Sequence, residues 1–145
     1  MNPATEPDAA RQRVHDSFAR QTVMAAFGAR LGRVEPGTVD IELPFRRDLC
    51  QQNGYLHAGI STTIADSAGG YAAYSLFDAG EDVLTSEFKM NFLAPADGEY
   101  FLATGRVLKP GRRLSVCQVQ VQAYRGGKPT LCLVGLMTAV RVTSR

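Results

Sequence analysis

The chain has 145 residues, 45% of them hydrophobic and 21% charged, the size and composition of one globular domain rather than of a disordered chain. Its 16 basic and 14 acidic side chains leave a formal charge of +2, too weak a field to point to a nucleic-acid or membrane partner. Cys50, Cys117 and Cys132 are odd in number and lack metal-ligand spacing, which predicts free thiols in a reducing, cytoplasmic setting.

In chain order, residues 1–8 read as a flexible tail, since two prolines and no apolar residue beyond Met1 and Ala4 leave it nothing to bury. The same stretch lacks the basic start and apolar core of a signal peptide. No run approaches the ~20 apolar residues of a membrane span. Residues 9–27 predict a helix whose apolar stripe is Val14, Phe18, Val23 and Phe27. Gly28 and Gly32 interrupt that pattern. Val39, Ile41 and Leu43 alternate with polar neighbours up to Pro44, the signature of a half-buried strand.

Residues 58–76 form the one long mid-chain helix candidate, and they are crowded with alanine and glycine, including Gly59, Gly69 and Gly70. Internal glycines each cost a helix about 1 kcal/mol, a cost offset only if a curved sheet grips the helix closely. Four strand candidates follow at 83–93, 99–109, 117–123 and 131–142, read as an antiparallel meander. Pro110-Gly111 and Gly126-Gly127 mark two of its turns. The last candidate is almost continuously apolar, as a strand covered on both faces would be. The expected architecture is α+β, one domain over 9–145, with five to six antiparallel strands wrapped around one long helix.

The chain has no nucleophile elbow, no phosphate-binding glycine loop and no zinc-protease motif. Two histidines cannot build a histidine-rich metal site, and His15 reads as a surface residue. Asp66 is the informative residue, because it is the only formal charge between Asp48 and Asp78 and sits among small and apolar neighbours. A carboxylate there either faces solvent or caps a neighbour, or has a chemical task.

His57, Ala58 and Gly59 stand where the long helix begins. Unpaired N–H groups at that point would polarise a carbonyl oxygen and stabilise an oxyanion, as acyl transfer needs; His57 could equally be a capping group. Ala58 and Asp66 are about 12 Å apart along a helix. If both act on one carbonyl, two chains must meet, which implies a two-fold homodimer with two equivalent sites.

The pattern Gln51…Gly54-Tyr55-Leu56-His57-Ala58-Gly59…Asp66 resembles the motif of hotdog-fold acyl-CoA thioesterases of the phenylacetate-degradation type. Those enzymes carry Asn or Gln six residues before the His, His-Gly-Gly at the helix start, and an acid nine residues after the His. The likeness extends over 27–142, including Asn91-Phe92-Leu93-Ala94-Pro95-Ala96 and the turn from Lys109 to Arg113. One departure is Ala58 in place of the first glycine, which keeps the backbone N–H and adds a methyl group to the slot.

The resemblance implies that Asp66 attacks the thioester or activates water, that the Ala58 N–H holds the carbonyl oxygen, and that His57 orients the helix start. It places Gln51 near the sulfur or the water, and gives Gly59 and Thr85 supporting positions. Lys109, Arg112 and Arg113 are candidates for the coenzyme A phosphates, since arginine forks suit phosphate oxygens; the alternative is a solvated hairpin tip. Arg46 and Arg47 make a weaker second pair. Tyr71, Tyr74 and Phe77 read as core or dimer packing, with acyl-pocket lining as the alternative.

The expected activity is hydrolysis of an aryl- or medium- to long-chain acyl-CoA by a homodimer or dimer of dimers, with no cofactor beyond the substrate's own coenzyme A and no metal. Other readings are a non-catalytic acyl-thioester-binding module, a thioesterase acting on acyl carrier protein, and a dehydratase.

Overall fold

The computed structural model describes residues 6–145. Two short helices, α1 (Glu6–Arg20) and α2 (Thr22–Phe27), lead into strands β1 (Arg30–Glu35) and β2 (Thr38–Pro44). A single turn of 3-10 helix at Arg47–Leu49 precedes the long helix α3 (Ala58–Tyr74). Strands β3 (Glu81–Phe92), β4 (Tyr100–Lys109), β5 (Leu114–Arg125) and β6 (Lys128–Thr143) complete the chain. All six strands join one antiparallel sheet in the order β1-β2-β4-β5-β6-β3. The α+β expectation of a sheet wrapped on one helix is what the chain forms.

The helix is gripped as its composition predicts. A Cβ added at Gly105 of β4 would lie 2.3 Å from the Ala68 carbonyl and 2.4 Å from the Gly69 nitrogen, so sheet backbone touches helix backbone. At Gly69 a Cβ would run into the side chains of Met137 and Val119. The alternating residues Val39, Ile41, Leu43, Phe101, Ala103, Cys117, Val119 and Val121 are buried against this helix. Their period-two pattern therefore reports the face that α3 covers. Burial pushes the Cys117 thiol up to about 11; all three cysteines are free, Cys117 and Cys132 as small core hydrophobes and Cys50 only partly buried.

Several boundaries differ from the sequence expectation. Residues 1–5 of the expected tail lie outside the described residues, while Glu6, Pro7 and Asp8 already form the first turn of α1. Proline is tolerated there because first-turn N–H groups have no helical partner. The expected single helix breaks at Gln21, whose backbone is extended (φ −80°, ψ 95°). That break shifts the phase of the stripe, so Met24 is buried while Val23 is exposed. Strand β1 carried no visible signal, since Gly32 and a bulge between Leu31 and Val34 scramble its alternation.

The larger correction concerns order. Strand β3 pairs with β6 and not with β4, so only β4, β5 and β6 form a meander. The segment after β3 is not a hairpin turn. It crosses the ends of β6 and β5, with Leu93 N–H donating to the Cys132 carbonyl at 2.9 Å and Glu99 N–H to the Tyr124 carbonyl at 2.8 Å. Gly98 passes so close to Tyr124 that a Cβ would lie 2.8 Å from its carbonyl oxygen. The β6 strand is internal, yet its outward Leu136 is 53% exposed, so within one chain only one face is covered.

Candidate active site

The start of α3 is held by its flanking loop. Arg46 grips Asp48 with two nitrogens (3.1 and 2.6 Å) and donates to the Ala26 carbonyl at 2.7 Å. It is thus a brace between α2 and the 3-10 turn, not a free basic residue. Residues 50–56 close on themselves: Cys50 bridges Leu56, Gln51 N–H donates to the Tyr55 carbonyl at 2.8 Å, and Gly54 N–H to the Gln51 carbonyl at 3.0 Å. Gly54 needs φ +85° for this turn. The Gln51 side-chain oxygen accepts from the Asn53 N–H, which leaves its amide NH2 as the free end.

His57 is the N-cap of α3. Its Nδ1 accepts from the Gly59 N–H at 2.8 Å, so the neutral ring carries its proton on Nε2. A Cβ at Gly59 would lie 3.0 Å from that Nδ1, which explains a glycine at this position. The N–H groups of His57, Gly59, Ile60 and Ser61 all have partners. Among the described residues, none accepts from the Ala58 N–H. Ala58 lines, with Gln51, Tyr55, His57 and Phe92, a cavity of about 640 Å³.

Asp66 belongs to a different cavity of about 370 Å³, bordered also by Thr85 of β3. The Thr85 hydroxyl donates to Asp66 Oδ1 at 2.7 Å, whereas Ser86 turns to the Thr138 carbonyl instead. Burial pushes the Asp66 carboxyl above its ordinary range, and the Thr85 hydrogen bond pulls it part of the way back. Folding favours the protonated acid, so this contribution is present below the unfolded value and lost as pH rises through the folded one. Thr85→Val removes the only lowering influence. The acidic limb of the kcat/KM profile is expected to move to higher pH in that variant, measured by initial rates across pH; an unmoved limb would detach Asp66 from the titration.

The two cavities share no lining residue, in agreement with the separation of Ala58 from Asp66 along the helix. Lys109, Arg112 and Arg113 are exposed in the β4–β5 turn, without side-chain partners among the described residues. The turn lies towards the Asp66 end of the sheet, since Thr85 pairs with Ala139 and Ala139 with Ser115. Arg47 is exposed, as is His15. Tyr74 and Phe77 pack in the core as read. Tyr71 does both, with its ring against Phe18 and Tyr74 and its hydroxyl on the Asp66 cavity. Ser17 and Gln21 reach the same cavity from the N-terminal helices, and nothing in their polar sequence context distinguished them from surface residues.

Among the described residues, no group of three His, Cys, Asp or Glu side chains could hold a metal ion. No described helix is long and apolar enough to cross a membrane.

The model of the thioesterase superfamily matches residues 53–130. A solved thioesterase family protein from Silicibacter pomeroyi is 47% identical, with TM-score 0.91 over 93% of this chain and 99% of that one. The Saccharolobus solfataricus protein named "Putative esterase" is 32% identical over 88% of this chain and 82% of its own. The PaaI protein of the E. coli phenylacetic acid degradation operon shares the fold, with TM-score 0.84 at 18% identity over 93% of this chain and 94% of its own. The chain belongs to the thioesterase superfamily, as a thioester hydrolase with the hotdog fold.

Proposed function

We propose that this enzyme hydrolyses acyl-CoA thioesters in a composite site, with Asp66 from one protomer and the Ala58 N–H from its partner. The observation that carries this reading is the pairing of a half-buried acid with a solitary unclaimed helix N–H, too far apart along one helix to share a carbonyl. Strand β3 supports a homodimer. It is an open twelve-residue edge with Phe88 and Phe92 about half exposed, a template for pairing with a second copy. Leu84, Leu114 and Leu136 are also exposed, and they support a further contact between dimers.

The thioester oxygen would lie against the Ala58 N–H, with the dipole of α3 behind it. Asp66 then acts in one of two ways. As a base it takes a proton from water while the water oxygen bonds to the carbonyl carbon. The carbon–sulfur bond then breaks, and the proton passes to the leaving thiolate. As a nucleophile its carboxylate bonds to that carbon, coenzyme A leaves as thiolate, and water cleaves the resulting anhydride. A single turnover in heavy-oxygen water identifies the second route where water attacks the Asp66 carbonyl of the anhydride, because that cleavage leaves a carboxylate oxygen of Asp66 in the product and the heavy oxygen in Asp66.

His57 holds the helix start in register, and the Gln51 amide faces the same cavity as the Ala58 N–H. The unpaired Lys109, Arg112 and Arg113 suit the phosphates of coenzyme A. Free-thiol release from a panel of aryl- and alkyl-CoA thioesters tests the reading, with Asp66→Asn beside the wild type. Turnover by the wild type alone is the expected result. Full activity in a folded Asp66→Asn protein would remove that residue from the chemistry.

A further inference from the structure

The β4–β5 turn is held in a way that the β5–β6 turn is not. The β5–β6 turn closes on backbone alone, with Arg125 paired to Lys128 across Gly126 and Gly127. At the β4–β5 end, a bulge between Val107 and Lys109 breaks the ladder. Among the described residues, positions 110–113 make no backbone hydrogen bond to one another. Two bonds from outside hold them: Gly111 N–H donates to Ser115 Oγ at 3.3 Å, and Arg141 N–H of β6 donates to the Arg113 carbonyl at 2.9 Å. Gly111 lies so close to the Leu114 carbonyl that a Cβ there would overlap its oxygen.

Ser115 is out of keeping with its strand. It heads the inward row of β5 that continues through Cys117, Val119, Val121 and Ala123, and it is itself 2% exposed. An apolar side chain would extend that row without taking a hydroxyl out of water. The hydroxyl therefore serves the turn and not the core. That turn carries Lys109, Arg112 and Arg113, which have no acidic partner among the described residues, whereas Arg30, Arg33, Arg46, Arg125 and Arg141 each have one. Residues 100–145 contain no acidic side chain, so β4, β5 and β6 offer the three cations no partner of their own.

We infer that Ser115 is a positioning residue for coenzyme A: its buried hydroxyl fixes the β4–β5 turn, so that Lys109, Arg112 and Arg113 meet phosphate oxygens on a backbone already ordered. The inference rests on the proposed role of those three cations. Ser115 touches no ligand and acts through the Gly111 N–H. A backbone fixed beforehand lowers the conformational entropy lost when the charged ligand is gripped. The freedom removed is that of residues 110–113, where no ladder bond removes it. Arg141 holds the other side of the turn by its N–H alone, since its guanidinium is taken up by Glu81 at 3.0 Å and lies 4.4 Å from the Phe77 ring centroid.

The test is calorimetric binding of coenzyme A, and of pantetheine, which lacks the phosphates. Four proteins are compared: the wild type, Ser115→Ala, Ser115→Thr, and a chain carrying Arg112→Ala with Arg113→Ala. The wild type is expected to bind coenzyme A more tightly than pantetheine. Ser115→Ala is expected to raise the Kd for coenzyme A about five-fold while that for pantetheine stays put. Ser115→Thr keeps the hydroxyl and is expected to restore the wild-type ratio. Equal weakening of both ligands in Ser115→Ala, or a ratio unchanged in it, would overturn the inference.

The double arginine variant separates this inference from the role of the cations beneath it. If that variant binds coenzyme A as the wild type does, the turn does not hold the phosphates and both fail. If it loses the preference for coenzyme A while Ser115→Ala keeps it, the cations stand and the role of Ser115 falls. Neither result depends on turnover, so both are independent of Asp66. Backbone amide relaxation gives a second readout, with Gly111, Arg112 and Arg113 expected to gain motion in Ser115→Ala. Equal order there and in the wild type overturns the role of the hydroxyl. Ser115→Ala removes a single oxygen, so a thermal melt close to wild type is expected beside these changes.

Discussion

A heterodimer of one Asp66→Asn chain and one Ala58→Pro chain, selected by two affinity tags, is expected to recover about half of the wild-type turnover, because one of two equivalent sites is rebuilt. Each homodimer should be nearly inactive. Loss of the acid is expected to cost about 10⁴ or more in kcat, and loss of a single oxyanion donor about 10² to 10³. Ala58→Pro is a clean deletion of one N–H. Ala58 is the first residue of α3, the position at which proline is best accommodated.

The residue before it, His57, already has the extended backbone (φ −59°, ψ 136°) that a following proline demands. The cap from the Gly59 N–H to His57 Nδ1 is untouched by the change. In the heterodimer, one site takes Asp66 from the Ala58→Pro chain and the Ala58 N–H from the other. Both are intact. If both homodimers fold and are silent, but the heterodimer recovers nothing, the acid and the N–H do not meet across the interface. An Ala58→Pro homodimer with full activity would dismiss that N–H as the oxygen's partner.

Gly105→Ala is expected to be the most damaging small substitution in the sheet, at about 3 kcal/mol or roughly 10 °C in Tm for a domain of this size. The added methyl would lie 2.3 Å from the carbonyl carbon and oxygen of Ala68 and 2.4 Å from the Gly69 nitrogen. All of these are backbone atoms and none can rotate away. Gly69→Ala makes the comparison informative. Its nearest neighbour would be the end of the flexible Met137 side chain, and alanine regains about 1 kcal/mol of helix propensity. Urea unfolding of both should rank Gly105→Ala well below Gly69→Ala. Equal midpoints, or a Gly105→Ala protein within about 0.5 kcal/mol of wild type, would mean that helix and sheet are not in backbone contact.

The elements most legible in the sequence are those whose covered face repeats every second residue. Val39, Ile41 and Leu43 announced β2, and Cys117, Val119 and Val121 announced β5, because α3 lies across both and selects alternate positions. The small residues of α3 announced close packing for the same reason. Strand β1 was silent, since a bulge at a sheet edge destroys the period that burial would impress. The order of strands was also hidden. Ala94 to Gly98 carries the same proline and glycine that would make a hairpin, and composition does not say whether such a segment turns back or crosses over.

At the candidate site, Gln51, His57, Ala58, Gly59 and Asp66 stood out by spacing along one stretch of chain. Thr85 reaches Asp66 from a strand that sequence alone could place only loosely. Ser17 and Gln21 were missed as cavity residues, and Tyr71 was read as packing before pocket lining, for a different reason. They converge from two helices distant in the chain, and a polar side chain at a helix junction looks the same in sequence whether it faces solvent or a cavity.

The placement of β3 beside β6 has a kinetic side. Among the described residues the only sheet neighbour of β3 is β6, so a strand that leaves the ribosome before the meander must wait for the meander's third strand. Loop closure of that kind raises the entropic barrier to folding. During the wait, Phe88, Met90 and Phe92 lie on a strand with neither edge paired, the condition under which nascent chains stick to one another. The edge that makes this chain able to meet a second copy is therefore also the one most exposed to a mistimed encounter.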